Sequence, residues 1–168
     1  MSLTSRLTVG AVARLVSALD EVTAEAPHNY SYSKDLASGT GDNQADQVFS
    51  DERTLAASAT ENLDLAGVLV DALGATLTFA KVRAIIIRAA DANTNDVVVG
   101  GHATAAFATP FGDVTDKVKV KPGGIFVLIA PKGAAYAVTA TTADMLKIEN
   151  SAGSTSVTYE VIIIGCSA

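Results

Sequence analysis

Three places in this chain carry residue types at spacings that could do chemistry. Asp91, Asn93 and Asn95 repeat at the one-three-five spacing of a calcium loop, a device that also needs glycine at position six and a bidentate glutamate at position twelve. Asp96 and His102 stand at those two positions. Asp and Asn also favour tight turns through bonds from side chain to backbone, so the segment reads as a turn. Gly39-Thr40-Gly41 has glycines that could admit a phosphate to the backbone. It lacks the third glycine in register, the P-loop lysine and the strand-then-helix frame, and it reads as a flexible connector.

His28 and His102 are the only histidines. One chain therefore cannot supply a three-histidine zinc site, and a histidine-based triad would have to use one of the two. Neither is accompanied by a G-x-S-x-G nucleophile motif. Many Asp and Glu residues are present, but no local pattern selects two as a glycosidase pair. The acidic run Asp42, Asp46, Asp51 and Glu52 could gather a cation only within an assembly. Cys166 is the single cysteine, which excludes an intrachain disulfide or a multi-cysteine metal site. The sequon Asn29-Tyr30-Ser31 matters only on a secretory route. No secretory signal is expected, because Arg14 interrupts the apolar stretch Val9 to Leu19, and Asp20 and Glu21 end it. The expectation is no enzyme, no cofactor and no metal.

The elements that would position these residues read as short strands. Residues 1 to 27 fit a helix, with Ser5 as cap and Leu7, Ala11, Leu15, Ala18 and Leu19 on one face. They fit a strand almost as well, because Leu7, Val9, Ala11, Ala13 and Leu15 alternate with Arg6, Thr8, Gly10 and Arg14. Gly10 tilts the choice toward an extended form. Tyr30, Tyr32, Lys34 and Leu36 mark one face of a further strand, and Ser38 to Gln44 reads as a loop. Val48 to Leu55 reads as short and irregular, and Leu63 and Leu65 alternate again.

From Thr76 the β-branched runs come close together. Leu77 and Phe79 lead into Val82 to Ile87, whose continuous apolar run suits a strand buried on both faces. Val97 to Val99 ends at Gly100-Gly101. Lys117-Val118-Lys119-Val120-Lys121 alternates, with valines toward a core and lysines toward solvent or a partner. Pro122-Gly123-Gly124 supplies a turn. Ile125 to Ala130, Tyr136 to Thr139, Met145 to Glu149 and Ser156 to Ile164 complete the set. The pattern predicts an all-β fold: an antiparallel β-sandwich, jelly-roll-like, over residues 29–168, with an N-terminal arm over 1–28.

Composition agrees. Hydrophobic residues make up 49% of the chain but aromatics only 5%, with no tryptophan, so Val, Ile, Leu and Ala must fill the core. The net charge of −6 argues against a protein built to grip nucleic acid directly. No apolar run is long enough for a membrane span, and a soluble chain is expected.

Several segments together resemble tailed-phage and prophage virion structural proteins. They are Gly39 to Asp46 with Val48 to Asp51, Arg53 to Gly67, Asn93 to Gly101, Lys121 to Phe126, and Thr155 to Gly165, which are spread over about three quarters of the chain. The resemblance implies a non-enzymatic virion component, foremost a capsid decoration or cement protein. Such a protein would be made in the bacterial cytoplasm, carried on the capsid exterior, and bound to the major capsid protein and to further copies of itself, with a homotrimer as first choice. A tail, collar or fibre-associated adaptor, or a host-surface binder, is the alternative it leaves open. The residues expected at interfaces are Arg6, Arg14, Tyr30, Tyr32, Asp42, Asp46, Asp51, Lys117, Lys119 and Lys121.

Overall fold

A computed structural model describes residues 2–168. They form twelve strands and no helix: β1 (Ser5–Ala18), β2 (Thr23–Ser38), β3 (Gln44–Ala45), β4 (Gln47–Leu55), β5 (Thr60–Asp64), β6 (Lys81–Ala89), β7 (Val97–Gly100), β8 (Lys117–Val120), β9 (Ile125–Ile129), β10 (Tyr136–Ala137), β11 (Met145–Asn150) and β12 (Val157–Cys166). Two antiparallel sheets pack face to face as a β-sandwich. In the first, β12 lies between β4 and β6, and the far side of β6 carries β9 and β10 in succession. The second has the order β5-β11-β7-β8.

The period-two pattern of the strands decides which residues enter the core. Along β12, Val157, Tyr159, Val161 and Ile163 are buried while Glu160 and Ile162 face outward. They meet Phe49, Ile85 and Ile87 from their own sheet and Leu63, Val97, Val99, Val120, Leu146 and Ile148 from the other. Small branched side chains interdigitate well between two sheets, so the scarcity of aromatics leaves no deficit. Near the end of β12 the register shifts between Ile164 and Gly165. A Cβ at Gly165 would lie 2.4 Å from the Lys81 carbonyl oxygen and 2.7 Å from the Phe79 ring, so only glycine lets the strand pass there.

A second, smaller cluster lies on the opposite face of the first sheet. Ala84 and Ile164 meet Leu7, Leu36 and Ala45, with Leu3, Val48 and Ile129 at the margin. This cluster roots the N-terminal element. The segment whose pattern fits helix and strand alike is strand: β1 and β2 form one long antiparallel ribbon, from Ser5 opposite Leu36 to Ala18 opposite Thr23. The turn Leu19–Val22 is closed by the Leu19 amide donating to the Val22 carbonyl at 2.9 Å. β2 runs unbroken through residue 28, so residues 29–38 continue the ribbon that residues 5–18 begin.

Val48 to Leu55, expected to be irregular, belongs to a regular nine-residue strand in register with β12. Its charged run Asp51-Glu52-Arg53 hides the alternation, because the Arg53 guanidinium is held by ion pairs and lies over the Phe49 ring. The Lys117 to Lys121 alternation forms edge strand β8 with Val120 buried. The turn after it has Pro122 at its second position and Gly123 at φ 72° in its third, closed by the Gly124 amide on the Lys121 carbonyl at 2.7 Å.

Candidate functional site

The turns that looked ligand-like spend their polar atoms on the fold. Asn93 donates to the Thr158 carbonyl and accepts from the Thr158 amide, both at 2.8 Å. Asn95 Nδ2 reaches Asn150 Oδ1 and the Thr155 carbonyl at 3.0 Å each. Asp91 meets Arg88 at 3.1 Å. Among the described residues no group of three His, Cys, Asp or Glu side chains could hold a metal ion.

The Gly39–Gly41 connector is pinned rather than free. Arg83 is fully buried and donates to the Gly41 and Gly133 carbonyls at 2.9 Å each, while Asp42 Oδ1 accepts from the Gly133 amide at 2.9 Å. The Asn43 amide adds a bond to the Pro131 carbonyl at 2.7 Å. These bonds clamp the root of the ribbon to the body. His28 lies on the ribbon, and His102 accepts from the Ala105 amide at 3.1 Å in the loop after β7.

The body's depressions are open clefts of 260 to 370 Å³. One crosses the outer face of the first sheet past Glu52, Arg88, Asp91 and Glu160. Another, the most apolar, adjoins the ribbon root and is lined by Leu3, Val48, Leu73 and Leu77 with Asp46 and Asp71.

The largest uncovered feature is the ribbon itself. Fourteen and sixteen residues in register give a two-stranded projection roughly 45 Å long at about 3.3 Å per residue. Its two faces differ in chemistry. One carries Leu7, Val9, Ala11, Ala13 and Leu15 beside Leu36, Lys34, Tyr32, Tyr30, His28 and Ala26, as the register dictates. The other carries Arg6 opposite Asp35, Thr8 opposite Ser33, Gly10 opposite Ser31, Val12 opposite Asn29, Arg14 opposite Pro27 and Val16 opposite Glu25, so it is the more polar of the two. On this polar face Arg6 Nε donates to Asp35 at 2.6 Å and Arg14 to Glu25 at 3.2 Å. The bond from Arg6 holds the Asp35 carboxyl below the usual carboxylate range.

The apolar face continues the smaller core outward. Leu7 and Leu36 are buried, Tyr32 is half-buried, and beyond them Tyr30 is 61% exposed and Leu15 70%. An isolated two-stranded ribbon is at best marginally stable in water, and a contiguous apolar face of this kind marks a contact surface.

The residues singled out from sequence fall in four places. Arg6 and Arg14 lie on the polar ribbon face and Tyr30 and Tyr32 on the apolar one. Asp42 and Asp46 sit at the root, where Asp46 accepts from the Ser167 amide at 2.8 Å. Asp51 pairs with Arg53 at 3.0 Å on β4. Lys117 and Lys121 pair with Glu149 and Asp96 at 3.1 and 2.8 Å, and Lys119 is exposed between them. Bonds from Lys147 and then Lys117 lower the Glu149 carboxyl. Val9, Ala13 and Leu15 joined no list of candidates. The signal for them was the pairing of Arg6 with Asp35 and Arg14 with Glu25 around one turn, which folds the two alternating segments onto each other.

Comparisons with protein-family models, curated proteins and solved structures found no match to this chain.

Proposed function

We propose that this chain is a non-enzymatic virion structural protein of a tailed phage or prophage, a capsid decoration protein that sits on the exterior of the major capsid protein lattice. The observation that carries the reading is the ribbon: a long projection with an uncovered apolar face, clamped through Arg83, Asp42 and the smaller core to the sandwich. That is the form of an assembly part, and the segmental resemblance supplies the kind of assembly. A protein that binds only the assembled shell stabilises it by mass action. The polar ribbon face, the Lys117 to Lys121 edge and the loops around Gly39–Asp51 would supply contacts to the lattice, and further copies of the chain are the second partner. The net charge of −6 fits an outer surface rather than contact with packaged DNA.

Antibody raised against the chain and applied to particles of the phage that encodes it tests the reading. Label distributed over the head, together with saturable co-sedimentation with empty shells, is the expected result. Label confined to the tail would replace it with the tail-adaptor reading, and particles without label would overturn both.

A further inference from the structure

The ribbon leaves three surfaces uncovered at once. Its apolar face is open from Val9 to the tip, and so are both edges, since among the described residues β1 has β2 as its only partner and β3 reaches just Ala37 and Ser38 of β2. A foreign strand added to one edge would leave the other edge and the face in water. A flat foreign surface would cover the face and leave both edges open. Two copies stacked face to face would also leave the edges open. With about 33 Å of exposed length and about 10 Å of width, such a pair would bury roughly 700 Å² in total, short of the ~1,200 Å² of a stable interface.

We propose that the ribbon's partner is a further copy of the same ribbon, and that three copies close into one six-stranded antiparallel barrel with the Val9–Leu15 face inward. This deepens the self-association in the functional reading and rests on that part of it alone. Rotation about a three-fold axis sets the free edge of β1 beside the free edge of a neighbour's β2. The two strands run antiparallel, so the same ladder that joins them within one chain can join them between chains. Closure removes every ribbon edge. Counting face and edges together, the three copies bury on the order of 1,500–2,000 Å² between them, about 500–700 Å² at each of three contacts, so the paired edges rather than the area favour closure.

The side chains fit such an interior. From Val9 to Leu15 the four cross-strand pairs on the apolar face each set a larger residue against a smaller one: Tyr32 with Val9, Tyr30 with Ala11, His28 with Ala13, and Leu15 with Ala26. Large and small then alternate around every layer, as the inside of a narrow barrel requires. The ion pairs Arg6–Asp35 and Arg14–Glu25 stay outside in water, together with Val12 and Val16. Arg6, Arg14 and Lys34 against Asp20, Glu21, Glu25 and Asp35 leave the ribbon near neutrality, so three of them approach without strong repulsion. Pro27 contributes no donor, and the ladder is short by that one bond.

Light scattering on the full chain at micromolar concentration tests the proposal. The expected mass is three times that of the 17.1 kDa chain. Ala13→Arg, which puts a charge in the middle of the inward face, reduces the mass threefold. Val12→Arg, one residue along on the outward face, leaves it unchanged. Both positions are exposed in the single chain, so the body's circular dichroism and melting stay as in the parent. In the parent, alternate amides along β1 exchange slowly, and they exchange fast in Ala13→Arg. A monomeric or two-chain parent, an assembly that survives Ala13→Arg, or equal disruption by Val12→Arg would overturn the barrel. Binding to shells is read separately, and a monomer that still decorates heads would leave the virion reading standing.

Discussion

Tyr159 shows how much a single side chain carries in this body. It is fully buried on the central strand, and its hydroxyl donates to Glu61 Oε1 at 2.6 Å, while Glu61 Oε2 accepts from Arg53 at 2.6 Å. Burial, and after it the bond to Glu61, push the phenol above its ordinary value near 10. The folded protein thus keeps a proton that the unfolded chain gives up in alkali. This contribution is fully present below pH 10 and is lost as the pH rises further, at about 1.4 kcal/mol per unit. Denaturant unfolding at pH 9 and pH 11 should show that loss, and Tyr159→Phe should flatten it. At neutral pH the same substitution leaves Glu61 Oε1 without its donor and should cost about 1–2 kcal/mol. None of this was legible in the sequence, since Tyr159 and Glu61 stand far apart along the chain and no local pattern joins them. The Asn93 and Gly123 corners were legible, because a turn residue acts on its own backbone. Arg83 was not, because Gly41 and Gly133 reach it only after the sheet has formed.

Legibility at the scale of elements followed the cleanness of alternation. Lys117 to Val120 reads the same in sequence and in structure because one face is all lysine and the other all valine. The ribbon's first strand satisfies both a helical and an extended period, and only its partner strand removes the ambiguity. The ribbon's energetics are separable from those of the body. Leu7 and Lys34 lie directly opposite each other as a hydrogen-bonded pair, so Asn-Gly can replace residues 8–33 as a two-residue hairpin turn. The shortened protein keeps Leu7, Leu36 and the whole sandwich core. Its unfolding free energy should fall within about 1 kcal/mol of the parent's, with shell binding and self-association lost. A body that fails to fold without residues 8–33 would show the ribbon to be part of the sandwich rather than a projection from it.

The whole molecule is organised around β12, which hydrogen-bonds to β4 along one edge and to β6 along the other. This position has a consequence for the order in which the protein comes into being. During synthesis the ribbon emerges ahead of the sandwich, and its two strands can pair as soon as they leave the ribosome because their contacts are local. The strand that joins β4 to β6 is made after the other eleven. Until then both strands have an unsatisfied edge, and the first sheet cannot form. For most of the time on the ribosome a nascent chain would present a paired apolar ribbon on a body without its main sheet, a state open to premature contact with its neighbours on a polysome. Chains halted before Val157 should therefore be protease-sensitive throughout the body. A resistant body in such a halted chain would mean that the second sheet holds the fold without β12.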